Sequence, residues 1–447
     1  MNMNADSKFS RRSWLILILF GLLGQIAWSV ENMYFNVFVF DTISESLDAI
    51  TLMVQLSGVT ATVVTLIAGV LSDKIGDRRR FISYGYIIWG ITVILFGFIS
   101  TDLISAIFVV SGEDAVRAAL TVAIVGDCVM TLFGSTANDA AFNAWVTDNT
   151  EQAYRGRVES IISILPLSAM LIVAGGFGII SGLVGYTALF AGLGALISIC
   201  GIVGVFIIRD AETLEKNGGM RDVFHGFRPS VVRQNPALYL TLCVVLIYSV
   251  ATQVFMPYMI IYMNKYLHFE VIEYSIVFGL AITLGAALNV YLGRLSDRMD
   301  KIKLIYVGAG AMSAGLFGMY FARGLGKLGD LFAFGVAGFI MISGFIFISA
   351  LCGSLVRDYT PKDSAGKLQG VRMVFSVLIP MLAGPAIGNA INKSMSIPLE
   401  NAGADAMTTQ YIPAPEIYLA ASLIVILATV LVPVLSRVSS RAATKFD

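Results

Sequence analysis

Long apolar stretches alternate with short polar ones along the whole 447-residue chain. Runs long enough to cross a hydrocarbon core of roughly 30 Å lie near residues 14–40, 47–71, 81–99, 118–145, 158–181, 187–208, 237–264, 271–293, 304–322, 330–356, 370–391 and 416–435. These twelve runs fall six on each side of a polar stretch, 209–236. The pattern predicts an all-α integral membrane protein of two six-helix bundles. Residues 1–208 form the first, 209–236 a cytoplasmic linker and 237–447 the second. Met1 to Phe9 is polar, and the run after it is too long for the apolar core of a cleaved signal, so the first helix is expected to stay in the mature protein.

Two stretches occur twice. GVLSDKIGDRRR at Gly69 to Arg80 is echoed by GRLSDRMDKIK at Gly293 to Lys303, and WVTDNTEQAYRGRVES at Trp145 to Ser160 by LVRDYTPKDSAGKLQG at Leu355 to Gly370. A proline-bearing apolar run follows each copy of the second, with Pro166 or Pro380. Every copy is a charged loop between apolar segments. Duplicated halves of this kind are the arrangement of a transporter whose two bundles rock around a central site.

Charge sets the orientation. With the N-terminus inside, 25 of the 30 Lys and Arg residues fall in the two tails and the even-to-odd loops. Cytoplasmic loops are enriched in these residues, so both termini are expected in the cytoplasm. The formal net charge of zero conceals the asymmetry.

Composition narrows the class. Hydrophobic residues make up 57% of the chain and charged ones 13%, outside the range of a soluble domain. Cys128, Cys200, Cys243 and Cys352 lie inside predicted helices without CxxC spacing, so neither disulfides nor a metal site is indicated. His225 and His268 fall in loops on opposite sides of the membrane, which excludes a shared ligand role. The absence of a P-loop argues against an ATP-driven pump. An HExxH motif, or a serine with a nearby histidine, is also missing, which argues against an enzyme.

Ionisable groups inside a membrane are expensive and are functional candidates by default. Three acids qualify: Glu31 in the first helix, and Asp127 and Asp139 in the fourth. In the fourth, Asp127, Thr131, Ser135, Asn138, Asp139 and Asn143 recur at three- and four-residue steps and share one stripe. The first helix carries Gln25, Ser29, Asn32 and Asn36 on one face, with Trp28, Glu31 and Phe35 on the next. Facing stripes would make a polar cavity at mid-depth, whereas the plainer reading is helix-to-helix hydrogen bonding of modest worth. The duplicated loops set Asn138, Asp139 and Asn143 opposite Ile348, Ser349 and Gly353, so ionisable chemistry is expected in the first half. In the seventh helix Tyr248, Thr252, Gln253, Tyr258 and Tyr262 are cavity candidates, and Pro257 favours a kink. Lys265 is expected to be an anchor or gate.

The segment Gly69 to Arg80 resembles the loop signature of the major facilitator superfamily, G-x-L-x-D-R/K-x-G-R/K-R/K, at Gly69, Leu71, Asp73, Lys74, Gly76 and Arg78. Asp77 stands where the signature has a basic residue. Gly293, Leu295, Asp297 and Arg298 form a weaker second copy. The resemblance implies the twelve-helix fold of that superfamily and a cytoplasmic latch between its halves, carried here by Gly69, Asp73, Arg78, Arg79, Arg80, Asp297 and Arg298. NDAAFNAW, Asn138 to Trp145, resembles the D-x-P-F/Y stretch of the glycoside, pentoside and hexuronide cation symporters, with Ala141 in place of the proline. GQIAWSVEN, Gly24 to Asn32, and DRRRF, Asp77 to Phe81, resemble the sucrose:proton symporters. The second helix has Gln55, Thr60, Thr62 and Thr65 where sodium-coupled members carry an acidic pair, so a proton is the expected coupling ion and sodium the alternative.

These observations converge on a secondary active transporter of the plasma membrane, a monomer moving a small solute by alternating access. It needs no cofactor, no nucleic acid and no partner beyond solute and bilayer. Proton-coupled symport of a sugar, glycoside or similar polar solute is expected. Asp139 is the coupling carboxylate, with Glu31 and Asp127 as its partners. Asn32, Asn36, Asn138, Asn143 and Gln253 are suited to sugar hydroxyls, and Trp28, Tyr258 and Tyr262 to a sugar face. The alternatives are an exporter of amphipathic compounds or lipids, or a non-transporting receptor or enzyme.

Overall fold

The computed structural model describes residues 10–150, 155–210, 225–296, 299–360, 365–395 and 411–443. Among the described residues, ten helices are long and apolar enough to cross a membrane: Arg11–Thr42, Leu47–Ser72, Glu113–Asn149, Ile164–Ile207, Pro236–Tyr266, Val271–Gly293, Lys301–Phe321, Lys327–Tyr359, Gly370–Met395 and Glu416–Ser440. Arg78–Phe96 and Thr101–Phe108, bent by 95° at their junction, give an eleventh when taken together. Two of the twelve expected runs, 158–181 and 187–208, are continuous as the 44-residue stretch Ile164–Ile207. Gly185 interrupts that stretch at φ +80° and ψ 165°, a conformation that residues with a Cβ rarely adopt.

By internal contacts the chain groups into two compact units. One comprises Met1–Glu31, Val63–Val173 and Ile180–Met220; the other comprises Asn32–Thr62, Ala174–Ile179 and Arg221–Asp447.

The first unit is held by an aromatic chain and by a capped helix end. Trp145, Phe142, Phe20, Tyr86, Trp89 and Trp28 follow one another with ring centroids between 4.9 and 6.5 Å apart. Such pairs supply the close packing that must hold membrane helices together when lipid is as apolar as the core. The Tyr86 hydroxyl donates to the Phe20 carbonyl at 2.7 Å. At the end of the Gly178–Ile207 helix, carbonyls without an intrahelical partner accept from side chains. Arg12 bonds Ile207 O at 2.6 Å and Phe206 O at 2.8 Å, Arg79 bonds Val205 O, and the Trp145 indole bonds Arg209 O at 2.8 Å.

In the second unit the helix Pro236–Phe255 gives way at Pro257 to a single 3₁₀ turn, Met256–Tyr258, as expected of a proline that cannot donate to the preceding turn. The segment Pro229–Gln234 is a short helix. Val231 joins Leu238, Tyr239, Leu242, Val356, Leu368 and Val371 in one buried cluster, and the Tyr239 hydroxyl donates to Gly226 O. Part of the sequence between the two halves is therefore packed against the helices that follow it.

Among the described residues five helical stretches widen to π geometry: Glu31–Phe35, Ser135–Phe142, Val173–Phe177, Tyr262–Tyr266 and Val374–Leu378. Such turns are rare and concentrate at functional positions. Two of the five hold candidate carboxylates.

Candidate functional site

Within the first unit, Glu31 opens a π turn and is buried; its Oε1 accepts from Thr131 Oγ1 at 3.0 Å. Asp127, also buried, precedes Thr131 by one turn on the same helix face. Asp139 is half-buried in the eight-residue π segment. Its Oδ2 accepts from Ser135 Oγ at 3.2 Å, and the Trp28 indole stands near the carboxylate. The fourth-helix stripe thus meets the first helix in two acidic neighbourhoods, Thr131 and Asp127 with Glu31, and Ser135 and Asp139 with Trp28 nearby.

Close helix contact fixes this arrangement. A Cβ at Gly24 would lie 1.7 Å from Asn138 Nδ2 and 2.7 Å from the Tyr86 hydroxyl, so only glycine lets Asn138 seat beside the first helix. Asn138 is buried there, while Asn143 is exposed and donates to Asp139 O at 3.0 Å. Trp28 is half-buried and packs on Trp89, 5.1 Å between ring centroids.

The second unit holds the other candidates. Asn36 is buried and donates to Asn32 O at 3.0 Å. Tyr258 and Tyr262 have their rings in the packed interior. The Tyr258 hydroxyl lies 2.7 Å from Thr51 Oγ1 and donates to Pro385 O at 3.0 Å, and Tyr262 sits 5.1 Å from Tyr418 and 4.9 Å from Tyr266. Gln253 lines a cavity of about 350 Å³ with Tyr248, Ser249 and Thr252 of its own helix. Phe345, Ser349 and Gly353 form a second wall, and Arg372, Ser376 and Pro380 a third. Ser349 and Gly353 are the register partners of Asp139 and Asn143, so the face marked by the duplication borders polar space in the second half.

Arg372 escaped the sequence reading, which counted it with the cytoplasmic basic residues. Its signal was available: it falls inside the apolar run 370–391, where the duplicated loops set Ile162 opposite it.

The loop residues assigned to a latch have defined places. Gly76, at φ +69°, closes one helix, and Asp77 caps the next by accepting from Arg80 N at 3.0 Å. This explains why an acid stands where the family signature has a base. Arg78 is buried, with Nε 3.1 Å from Asp148 Oδ2 and a further bond to Ser72 Oγ. The Arg79 N–H donates to Asp210 Oδ1 at 3.0 Å; burial pushes the Asp210 carboxyl above its ordinary range, against that bond. Arg80 is exposed and pairs with Asp77 at 3.1 Å. At Gly69, among the described residues, nothing lies within 4 Å of where its Cβ would be. The Asp73 side chain, and Asp297 and Arg298 entirely, lie outside the described residues.

The second copy repeats the scheme. Asp300 caps its helix by accepting from Ile302 N at 3.0 Å, and Lys301 Nζ lies 3.1 Å from Asp358 Oδ2 and 2.8 Å from Ser354 Oγ. Each half thus ties its first loop motif to its second through one ion pair.

At the end of the second unit remote from the linker, Lys265 lies 3.6 Å from Asp41 and 3.8 Å from Glu45. Lys393 lies 2.7 Å from Asp48, whose Oδ1 also accepts from Asn389 at 2.6 Å. These contacts hold the segment Asn32–Thr62 against the second half of the chain.

A multi-pass helical membrane carrier is what this fold and its polar interior define. The model of the Major Facilitator Superfamily matches residues 14–385, and the chain belongs to that superfamily of transporters. No curated protein matches the sequence. Among solved structures, the nucleoside transporter NupG, in a mutant form, superposes with a TM-score of 0.68 at 11% identity, covering 94% of this chain and 99% of the other. A bacterial homologue of the human lysosomal transporter Spinster, in an inward-facing and unoccupied conformation, gives 0.67 at 14% identity, covering 96% and 98%. At these identities the likeness shows the fold alone.

Proposed function

We propose that the protein is a proton-coupled secondary transporter of a hydroxylated polar solute, a sugar, glycoside or similar molecule, working by alternating access. The observation that carries this reading is Asp139, a half-buried carboxylate in a π-widened stretch of a membrane helix, bonded by Ser135. A carboxylate there is costly unless it works, and loading and unloading a proton is work that a lone acid can do. Glu31, which accepts from Thr131 across the two helices, and Asp127, one turn before Thr131, are the next stations. The scarcity of acids on the second helix disfavours a sodium site built like that of the sodium-coupled symporters. The proposal includes two six-helix bundles, 1–208 and 237–447, with both termini cytoplasmic in the plasma membrane, from the distribution of Lys and Arg. A nucleoside, which the NupG neighbour is named for, is a sugar joined to a base and falls in the same solute class.

Proteoliposomes test the coupling. Asp139→Asn imitates the protonated acid but cannot release the proton. With a transported solute in hand, the variant is expected to exchange labelled for unlabelled solute and to fail to concentrate it under an imposed pH gradient. Accumulation that persists in the variant removes Asp139 from the coupling role and passes it to Glu31 or Asp127.

A further inference from the structure

The cavity of the second unit has one charged wall residue, and it is a base. Of the side chains lining its 350 Å³, Arg372 alone is ionic. Among the described residues no carboxylate pairs with it. A guanidinium presented to a pocket without a protein counter-charge is a ready partner for an oxyanion, which it can meet with two parallel N–H bonds.

Its placement is built. Val371, the preceding residue, is fully buried in the cluster that also holds Val231, Leu238, Tyr239 and Val356. That anchor fixes the helix, and the π turn Val374–Leu378 begins two residues after Arg372. The hydroxyls around it are directed as well. Thr252 Oγ1 donates to Tyr248 O at 2.9 Å and Ser376 Oγ to Arg372 O at 2.7 Å. With their protons committed to the backbone, these oxygens offer lone pairs to the cavity. Gln253 contributes both a donor and an acceptor, and Tyr248 sets an aromatic face, 6.1 Å from Phe345. A volume of this size suits a small metabolite.

We infer that the cavity takes a solute bearing an acidic group, a carboxylate or a phosphate, with Arg372 as its anion-binding residue and Thr252, Gln253 and Ser376 meeting its hydroxyls. This deepens the transporter reading and rests on it for the word solute; the binding site stands on its own geometry. An arginine serving only the charge asymmetry of the loops would be indifferent to any ligand. The acidic group can belong to a soluble molecule or to a lipid headgroup, and the probes below separate the two.

The experiment uses the full chain, purified in a zwitterionic detergent and, in parallel, reconstituted in phosphatidylcholine vesicles. Melting temperature is followed against glucose, glucuronate and glucose 6-phosphate, and against lysophosphatidylcholine and lysophosphatidate. An acidic member is expected to stabilise the protein where its neutral counterpart does not, and the responding set identifies a soluble or a lipid source. Arg372→Gln should fold normally, because no described ion pair is lost, and should weaken that binding by about tenfold or more, the worth of a charge-assisted hydrogen bond. Arg372→Lys should keep part of it. Equal stabilisation by neutral and acidic members, no response to any acid, or full affinity in Arg372→Gln would overturn the inference. Uptake separates the two readings. Neutral sugar uptake that ignores Arg372→Gln sinks the acidic site and leaves the transporter, whereas Arg372-dependent binding with no uptake of any probe sinks the transporter and leaves the site.

Discussion

The helices Glu113–Asn149 and Lys327–Tyr359 stand at matching positions in the two repeats and have diverged inside the membrane. The first carries Asp127 and Asp139 and widens to π geometry over eight residues. The second runs for 33 residues as an uninterrupted α-helix, with Ser349 and Gly353 where the first has Asp139 and Asn143. Their loops have diverged far less. Asp77 and Asp300 both cap a following helix, and Arg78–Asp148 and Lys301–Asp358 both join the loop motifs at 3.1 Å. The lesson is that the loops are constrained by folding each half, while the membrane interior was free to specialise. One half kept acids and a costly irregular turn to hold them; the other kept a regular helix and opened a cavity.

The largest effect should come from placing the same neutral amide at the matched positions of the two repeats. Asp139→Asn is expected to reduce concentrative uptake to the level of empty vesicles, whereas Ser349→Asn should leave it within about threefold, the latitude of a changed neutral hydrogen bond. Similar losses in both would mean that the helices share the chemistry.

Next in size is the buried ion pair against its exposed counterpart. The Arg78 and Asp148 side chains are 6% and 25% exposed, and those of Lys301 and Asp358 are 33% and 53%. Arg78→Ala strands Asp148 and should cost about 3 kcal/mol, read as a lower melting temperature. Lys301→Ala should cost less than about 1 kcal/mol. Equal costs would show that burial does not distinguish the copies.

Glycines on the two helices' partners and walls give a smaller contrast. Gly24→Ala drives a methyl into Asn138 and should cost about 1–3 kcal/mol. Gly353→Ala meets nothing within 4 Å and should be neutral or stabilise by up to about 1 kcal/mol through helix propensity. A destabilised Gly353→Ala would mean that the space beside it is filled.

The smallest effect should be shared. Asp77→Ala and Asp300→Ala each remove an N-cap worth about 1 kcal/mol. Melting shifts that differ severalfold between them would break the symmetry argued for the loops.

Much of this was legible in the sequence because membrane spans and duplicated loops are written in long, local patterns. Apolar runs marked the helices, and the three- and four-residue spacing from Asp127 to Asn143 marked the stripe that holds Asp139. The π turns were not legible, since a single widened turn is too short to alter the periodicity of a membrane-length run. Tyr258 and Tyr262 illustrate another limit. A tyrosine reads alike whether it faces a cavity or donates inward, and only the bond from Tyr258 to Pro385 O decides. Arg372 was hidden by its closeness to a basic loop, where one more positive charge looks ordinary.

The clasp between the segment Asn32–Thr62 and the second half of the chain has a consequence for how the protein meets its surroundings. Its side chains, Asp41, Glu45, Asp48, Lys265 and Lys393, are 30–44% exposed, so mobile ions reach them. Screening shortens from about 8 Å at physiological ionic strength to about 3 Å at 1 M. Rising salinity of the medium at that face should therefore weaken the fastening.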